Sequence, residues 1–131
     1  GHGELLREGG DVAIIGVGNM TNVALRAAER SRHSVAVYDL RYVKPLDEAL
    51  LLTIGSRFER VKTIEDGIIR GGAGEAVSAF MAAHNLHPHT IHLGIDDCFV
   101  EHGKPSELWA ECGYDEEALL NAVEHMMTSV K

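Results

Sequence analysis

A chain of 131 residues, 45% of them apolar, with a formal charge of −8, suits a single domain that buries roughly two-thirds of the surface its unfolded form exposes. The acidity argues against a nucleic-acid binder, which needs a basic footprint, and no apolar run approaches the length of a membrane span. Cys98 and Cys112 form no disulfide framework and read as thiols in a reducing compartment. The opening Gly1-His2-Gly3-Glu4 has neither a methionine nor an apolar leader. We therefore expect a cytoplasmic piece of a longer reading frame, with residues 1–131 making one domain.

In chain order, Leu5-Leu6 lies between charged residues and Gly9-Gly10, the pattern of a short edge strand and a turn. Val12 to Ile15 is continuously apolar and β-branched apart from Ala13, which predicts a strand buried on both faces. Gly16-Val17-Gly18-Asn19 then turns the chain. Met20, Val23, Ala24, Ala27 and Ala28 recur at helical spacing, so an amphipathic helix follows. Val35 to Tyr38 repeats the buried-strand pattern. A second helix starts near Asp47, its N-cap, with Leu50, Leu51, Ile54 and Phe58 inward.

Val61 to Ile64 predicts another strand, ending in Glu65-Asp66-Gly67. Beyond Arg70-Gly71-Gly72-Ala73-Gly74 a third helix presents Ala76, Val77, Phe80 and Met81 on one face. Thr90 to Leu93 alternates like an edge strand. A short helix over Pro105 to Glu111 and a longer one over Asp115 to Met127 complete the chain. Strands alternating with helices give an α/β fold with a largely parallel sheet and helices on both faces. Right-handed crossovers then bring the turns after the strands to one edge. These are the Gly16 loop, the stretch Asp39 to Asp47, the loop from Glu65 to Gly74 and the loop from Gly94 to Gly103.

That edge is where open α/β sheets meet ligands and partners, so its groups are the functional candidates. Gly16-Val17-Gly18 opening a helix, with Asp39 ending the next strand, is similar to a dinucleotide fingerprint, but Thr21 stands where that pattern has its third glycine. Two-glycine turns also occur in α/β folds that bind nothing. Gly71-Gly72-Ala73-Gly74 could cradle an anion; we read it as a close-packing segment. His84, His87, His89 and His92 surround Pro88 with no cysteine or acid beside them, and read as a solvated loop. The acid pairs Glu65-Asp66 and Asp96-Asp97 lack a nucleophile or matched base, and the Cys98 to His102 spacing fixes no geometry on a loop. Trp109 reads as a packing anchor. No catalytic, cofactor-binding or metal-ligating set emerges from these residues.

Four stretches together resemble a known family: Gly9 to Gly18, Tyr38 to Asp47, Thr63 to Gly67 with Gly71 to Gly74, and Leu93 to Gly103. Their order is similar to that of the C-terminal domain of transketolase-type thiamine diphosphate enzymes. The stretch from Leu93 to Gly103 and Cys112-Gly113-Tyr114-Asp115 tilt the resemblance towards the 1-deoxy-D-xylulose-5-phosphate synthases, although these usually carry proline where Asp96 stands. The looser matches extend to transketolase itself and to 2-oxo acid dehydrogenase β-subunits.

The resemblance implies a three-layer α/β/α sandwich with a five-stranded mixed sheet, the Leu5-Leu6 strand antiparallel to the others. It implies a transferase, active as a homodimer, in which thiamine diphosphate and Mg2+ are held by two preceding domains of the same chain. The Gly-Asp-Gly motif that binds this cofactor and the activating glutamate have no counterpart in residues 1–131. These residues are thus expected to pack against those domains and to be inactive alone. Arg41, Lys44, Glu65, Gly71 and Gly72 are the interface candidates.

Overall fold

Three β-branched apolar runs set the frame, because strands rich in valine and isoleucine bury both faces only between helical layers. The computed structural model describes residues 3–18, 20–41, 46–65, 73–93 and 116–128. Within them the order is β1 (Glu4–Arg7), β2 (Val12–Gly16), α1 (Met20–Arg30), β3 (Val35–Asp39), α2 (Glu48–Arg57), β4 (Arg60–Ile64), α3 (Ala73–Ala83), β5 (His89–Leu93) and α4 (Glu116–Thr128). The five strands form one sheet in the order β1-β3-β2-β4-β5. β1 is antiparallel to β3, and the remaining neighbours are parallel.

Strand side chains alternate between the faces, and each face has its own core. Val12, Ile14, Val35, Val37 and Ile64 pack beneath α1 and α4, against Met20, Val23, Ala24, Ala27, Leu119, Val123 and Met126. Ala13, Ile15, Ala36, Tyr38 and Val61 pack beneath α2 and α3, against Leu51, Ile54, Phe58, Val77, Phe80 and Met81. Each fully buried valine, leucine, isoleucine or methionine contributes about 1.5–3 kcal/mol relative to exposure, so these layers hold the domain together. Asp47 caps α2 as its sequence position predicts, its carboxylate accepting from Leu50 N–H at 3.1 Å.

β1 is an edge strand with a bulge. Leu5 faces Tyr38 and Arg7 faces Val37, so Leu6 is inserted between two paired residues. Such a bulge twists an edge and discourages pairing with another chain. At the amino ends of β3 and β4, α4 is tied down by charge. Arg32 donates through both Nη2 and Nε to Glu124, and His33 Nε2 lies 3.0 Å from Glu124 Oε1. Arg60 Nε adds a bond of 3.2 Å to the Met126 carbonyl.

The hydrogen bond from Arg32, reinforced by His33 and opposed by partial desolvation, holds the Glu124 carboxyl below its ordinary value of 4.5. A carboxyl held low stabilises the fold above its unfolded pKa, and the contribution is lost as pH falls through the folded value. Glu124→Gln is therefore expected to lower the thermal midpoint by a few degrees at neutral pH. The gap from the unsubstituted chain should close on acidification below 4.5, as paired thermal melts across that range would check.

Candidate functional site at the carboxyl edge

One row of residues crosses the whole sheet at the ends of the parallel strands. Glu4 is level with Asp39, Asp39 with Gly16, Gly16 with Ile64, and Ile64 with Leu93. The ladder continues one residue beyond it, through Val17 N–H to the Ile64 carbonyl at 3.1 Å and Leu40 N–H to the Gly16 carbonyl at 3.0 Å. Gly16, at the centre of the row, sets how closely α1 approaches. A Cβ there would stand 2.9 Å from both Cα and Oγ1 of Thr21, closer than real contacts allow. The near approach that a third glycine would permit in a dinucleotide site is thus made by Gly16, and Thr21 fills the space. Thr21 Oγ1 is buried and has no hydrogen-bond partner among the described residues.

The acid at the end of β3 is turned towards its own backbone. Asp39 Oδ1 accepts from Arg41 N–H at 3.0 Å, closing a short turn in which Arg41 has φ 69°. For a residue with a Cβ the left-handed region costs about 1–2 kcal/mol, which this side-chain bond helps to offset. Arg41 Nη2 stands 3.7 Å from Glu4 Oε1, with both side chains more than half exposed; such a pair adds little stability. Arg41 is consequently held on the rim of the edge, with its backbone fixed and its side chain reachable.

Glu65 lies two strands away, roughly 10 Å from the β3 line at ordinary strand spacing. Its Oε1 accepts from Ala73 N–H at 3.0 Å and its Oε2 from Gly74 N–H at 3.2 Å. The carboxylate therefore caps α3, where free amides and the positive end of the helix dipole favour an anion. These bonds also tie the end of β4 to the start of α3. Of the five interface candidates, Arg41 and Glu65 are thus brought to one edge. Lys44, Gly71 and Gly72 lie outside the described residues, as do Asp66, Arg70, Asp96, Asp97, Cys98, His102, Trp109 and Cys112. In the histidine loop, His84 stacks on Phe80 at 4.1 Å and bonds the Phe80 carbonyl, while His87 is exposed.

Sequence reasoning missed Lys62. It sits level with Ile14 and Ile91 in the middle of the sheet, on the face that Ile64 shares with α1 and α4. Lys62 is 0% exposed, and its Nζ has no hydrogen-bond partner among the described residues. Burial pushes its amine down to about 8, because the charged form loses its hydration. The signal was present: a lysine inside a run otherwise read as a buried strand.

Chemically, this edge can bind and orient. The Asp39 and Glu65 carboxylates accept from backbone amides, Glu4 faces Arg41, and no group of three or more histidine, cysteine, aspartate or glutamate side chains is gathered for a metal among the described residues. No helix among them is long and apolar enough to cross a membrane.

Comparisons with known proteins agree with this geometry. A family model described as "Transketolase, C-terminal domain" matches residues 1–119. A 1-deoxy-D-xylulose-5-phosphate synthase of Bacteroides fragilis is 44% identical over 127 residues, which cover 94% of this chain and 20% of that protein. The synthase of Bacteroides thetaiotaomicron is 47% identical over 123 residues, covering 91% and 19%. The chain thus spans about one fifth of the length of these curated relatives.

Among solved structures, one titled "Split gene transketolase, inactive beta4 tetramer" superposes with a TM-score of 0.81 at 28% identity, over 97% of this chain and 41% of that one. A 2-oxoglutarate:ferredoxin oxidoreductase from Magnetococcus marinus shares the fold, with a TM-score of 0.64 at 19% identity, over 98% of this chain and 20% of that one. The mixed sheet with its antiparallel first strand, the helices on both faces and the match over residues 1–119 lead to one conclusion: the chain belongs to the transketolase C-terminal domain family.

Proposed function

We propose that this chain is the C-terminal domain of a thiamine-diphosphate-dependent 1-deoxy-D-xylulose-5-phosphate synthase. The whole enzyme would condense pyruvate with glyceraldehyde 3-phosphate and release carbon dioxide, supplying isoprenoid and thiamine precursors in the cytoplasm. The observation that carries this is an identity of 40–47% to synthases, sustained over nine-tenths or more of the chain. Thiamine diphosphate and Mg2+ would be held by the two preceding domains, where the cofactor serves as the electron sink for decarboxylation.

The part played by residues 1–131 is to pack against those domains and to contribute to a homodimer. Arg41, Lys44, Glu65, Gly71 and Gly72 are the proposed contacts, with the Arg41 guanidinium on the rim and Glu65 bonded to the start of α3. The test is to express the longer reading frame that contains this chain and to supply thiamine diphosphate, Mg2+, pyruvate and glyceraldehyde 3-phosphate. We expect release of carbon dioxide coupled to the five-carbon sugar phosphate. Decarboxylation that needs an acyl acceptor instead of the aldehyde would move the domain to a 2-oxo acid dehydrogenase.

A further inference from the structure

The chain enters the sheet at the edge where the parallel strands leave it. Because β1 is antiparallel, Glu4 lies level with Asp39, and whatever precedes Gly3 arrives beside Arg41 and the N-terminus of α2. Gly3 N–H donates to Asp47 Oδ2 at 2.8 Å, while Asp47 Oδ1 accepts from Leu50 N–H at 3.1 Å. One carboxylate thus caps a helix with one oxygen and holds the start of β1 with the other. The site admits only glycine at position 3, since a Cβ there would sit 2.5 Å from Leu50 Cδ2 and 2.8 Å from the Asp39 carbonyl oxygen. Glu4 and Arg41 face each other across the same entry, at 3.7 Å.

Helix capping needs one acceptor. The second oxygen reaches a residue 44 positions away, a contact that local helix chemistry does not require. Nor does the fold demand it, since the first residues of a domain ordinarily fray unless tied down. We propose that Asp47 and Gly3 form an entry clamp, which fixes where the polypeptide preceding Gly3 meets the carboxyl edge. The partner of this surface is that preceding polypeptide of the same chain. The inference rests on the synthase reading for the identity of what precedes, and on the geometry alone for the clamp.

Asp47→Ser separates the two contacts. Serine caps helices about as well as aspartate, but it lacks the second carboxylate oxygen that reaches Gly3. Gly3→Ala attacks the clamp from the other side: the Asp47 carboxylate stays in place, and the added Cβ presses on the Asp39 carbonyl oxygen and on the end of the Leu50 side chain. In the full-length protein, each variant is expected to speed amide exchange at residues 3–7 by about tenfold or more, the loss of a charge-assisted bond, with α2 protected as before. Small-angle scattering should then show a more extended arrangement of domains.

Unchanged exchange at residues 3–7 in both variants would overturn the clamp. Faster exchange with an unchanged scattering profile would overturn its role in placing the preceding domains. If the unsubstituted protein makes no sugar phosphate while the variants still loosen and extend, the synthase reading fails and the clamp stands.

Discussion

Lys62→Met is expected to stabilise the domain by about 3 kcal/mol at neutral pH, the free-energy equivalent of holding the amine well below its ordinary value. The cause is desolvation. Lys62 is fully buried, its Nζ has no hydrogen-bond partner among the described residues, and burial lowers its pKa from 10.5 to about 8. Methionine offers a similar unbranched length and a polarisable sulfur with nothing to ionise. Below pH 8 both the folded and the unfolded chain carry the proton, and the folded state bears the full penalty. Between 8 and 10.5 the unfolded chain holds more protons, so stability of the unsubstituted protein rises with pH. Urea unfolding of both proteins at pH 7 and near pH 10 checks this, and the curves should converge at the alkaline end. A variant less stable than its parent at pH 7 would mean that Lys62 has an anionic partner that offsets its burial.

Glu65→Ala should have an effect of similar size and opposite sign, a loss of about 2–4 kcal/mol. Two backbone amides at the start of α3 lose a charged acceptor, each such bond being worth about 1.5–3 kcal/mol before relaxation, and the helix loses an anion at its positive end. Glu65→Gln keeps one acceptor oxygen but places an NH2 group against an amide, so about half of that loss is expected. Denaturant unfolding gives the magnitude. Amide exchange in the first turn of α3 gives the location, because lost capping should expose Ala73 and Gly74 before the rest of the helix. A Glu65→Ala protein within about 0.5 kcal/mol of its parent would show that the carboxylate does not sustain the cap, leaving it free for contacts outside the domain.

What could be read from the sequence follows from how far each signal reaches. β2, β3 and α1 were legible because their apolar residues recur at fixed short intervals, and the cores beneath α1 and α4 and beneath α2 and α3 contain the residues those intervals name. Asp47 as a cap was legible for the same reason, since its partner Leu50 is three residues on. Its second bond, to Gly3, depends on how β1 folds back and leaves no local trace. The Glu65 cap spans eight residues across a glycine-rich connection, beyond any helical or strand period. The bulge at Leu6 and the left-handed turn at Arg41 arise from sheet register and from the Asp39 side chain. Lys62 passed unremarked because a pattern that scores apolar runs tolerates one exception, whereas the packed sheet does not.

The two readings of the carboxyl edge separate on the same grounds. The Gly16 and Gly18 turn with Asp39 looked like half of a dinucleotide site, but Gly16 faces Thr21 and Asp39 is bonded to Arg41 N–H. Both features close the crevice over its own backbone. Among the described residues, the edge presents the Arg41 side chain and the entry of β1, groups suited to meeting another part of the same polypeptide.

Residues 1–131 are proposed to complete an enzyme whose chemistry lies in the preceding domains. Incubating the purified chain with thiamine diphosphate, Mg2+, pyruvate and glyceraldehyde 3-phosphate, beside the longer protein under the same conditions, and measuring 1-deoxy-D-xylulose 5-phosphate decides it. We expect product from the longer protein and none above background from the chain alone; sustained turnover by the chain alone would refute the proposal.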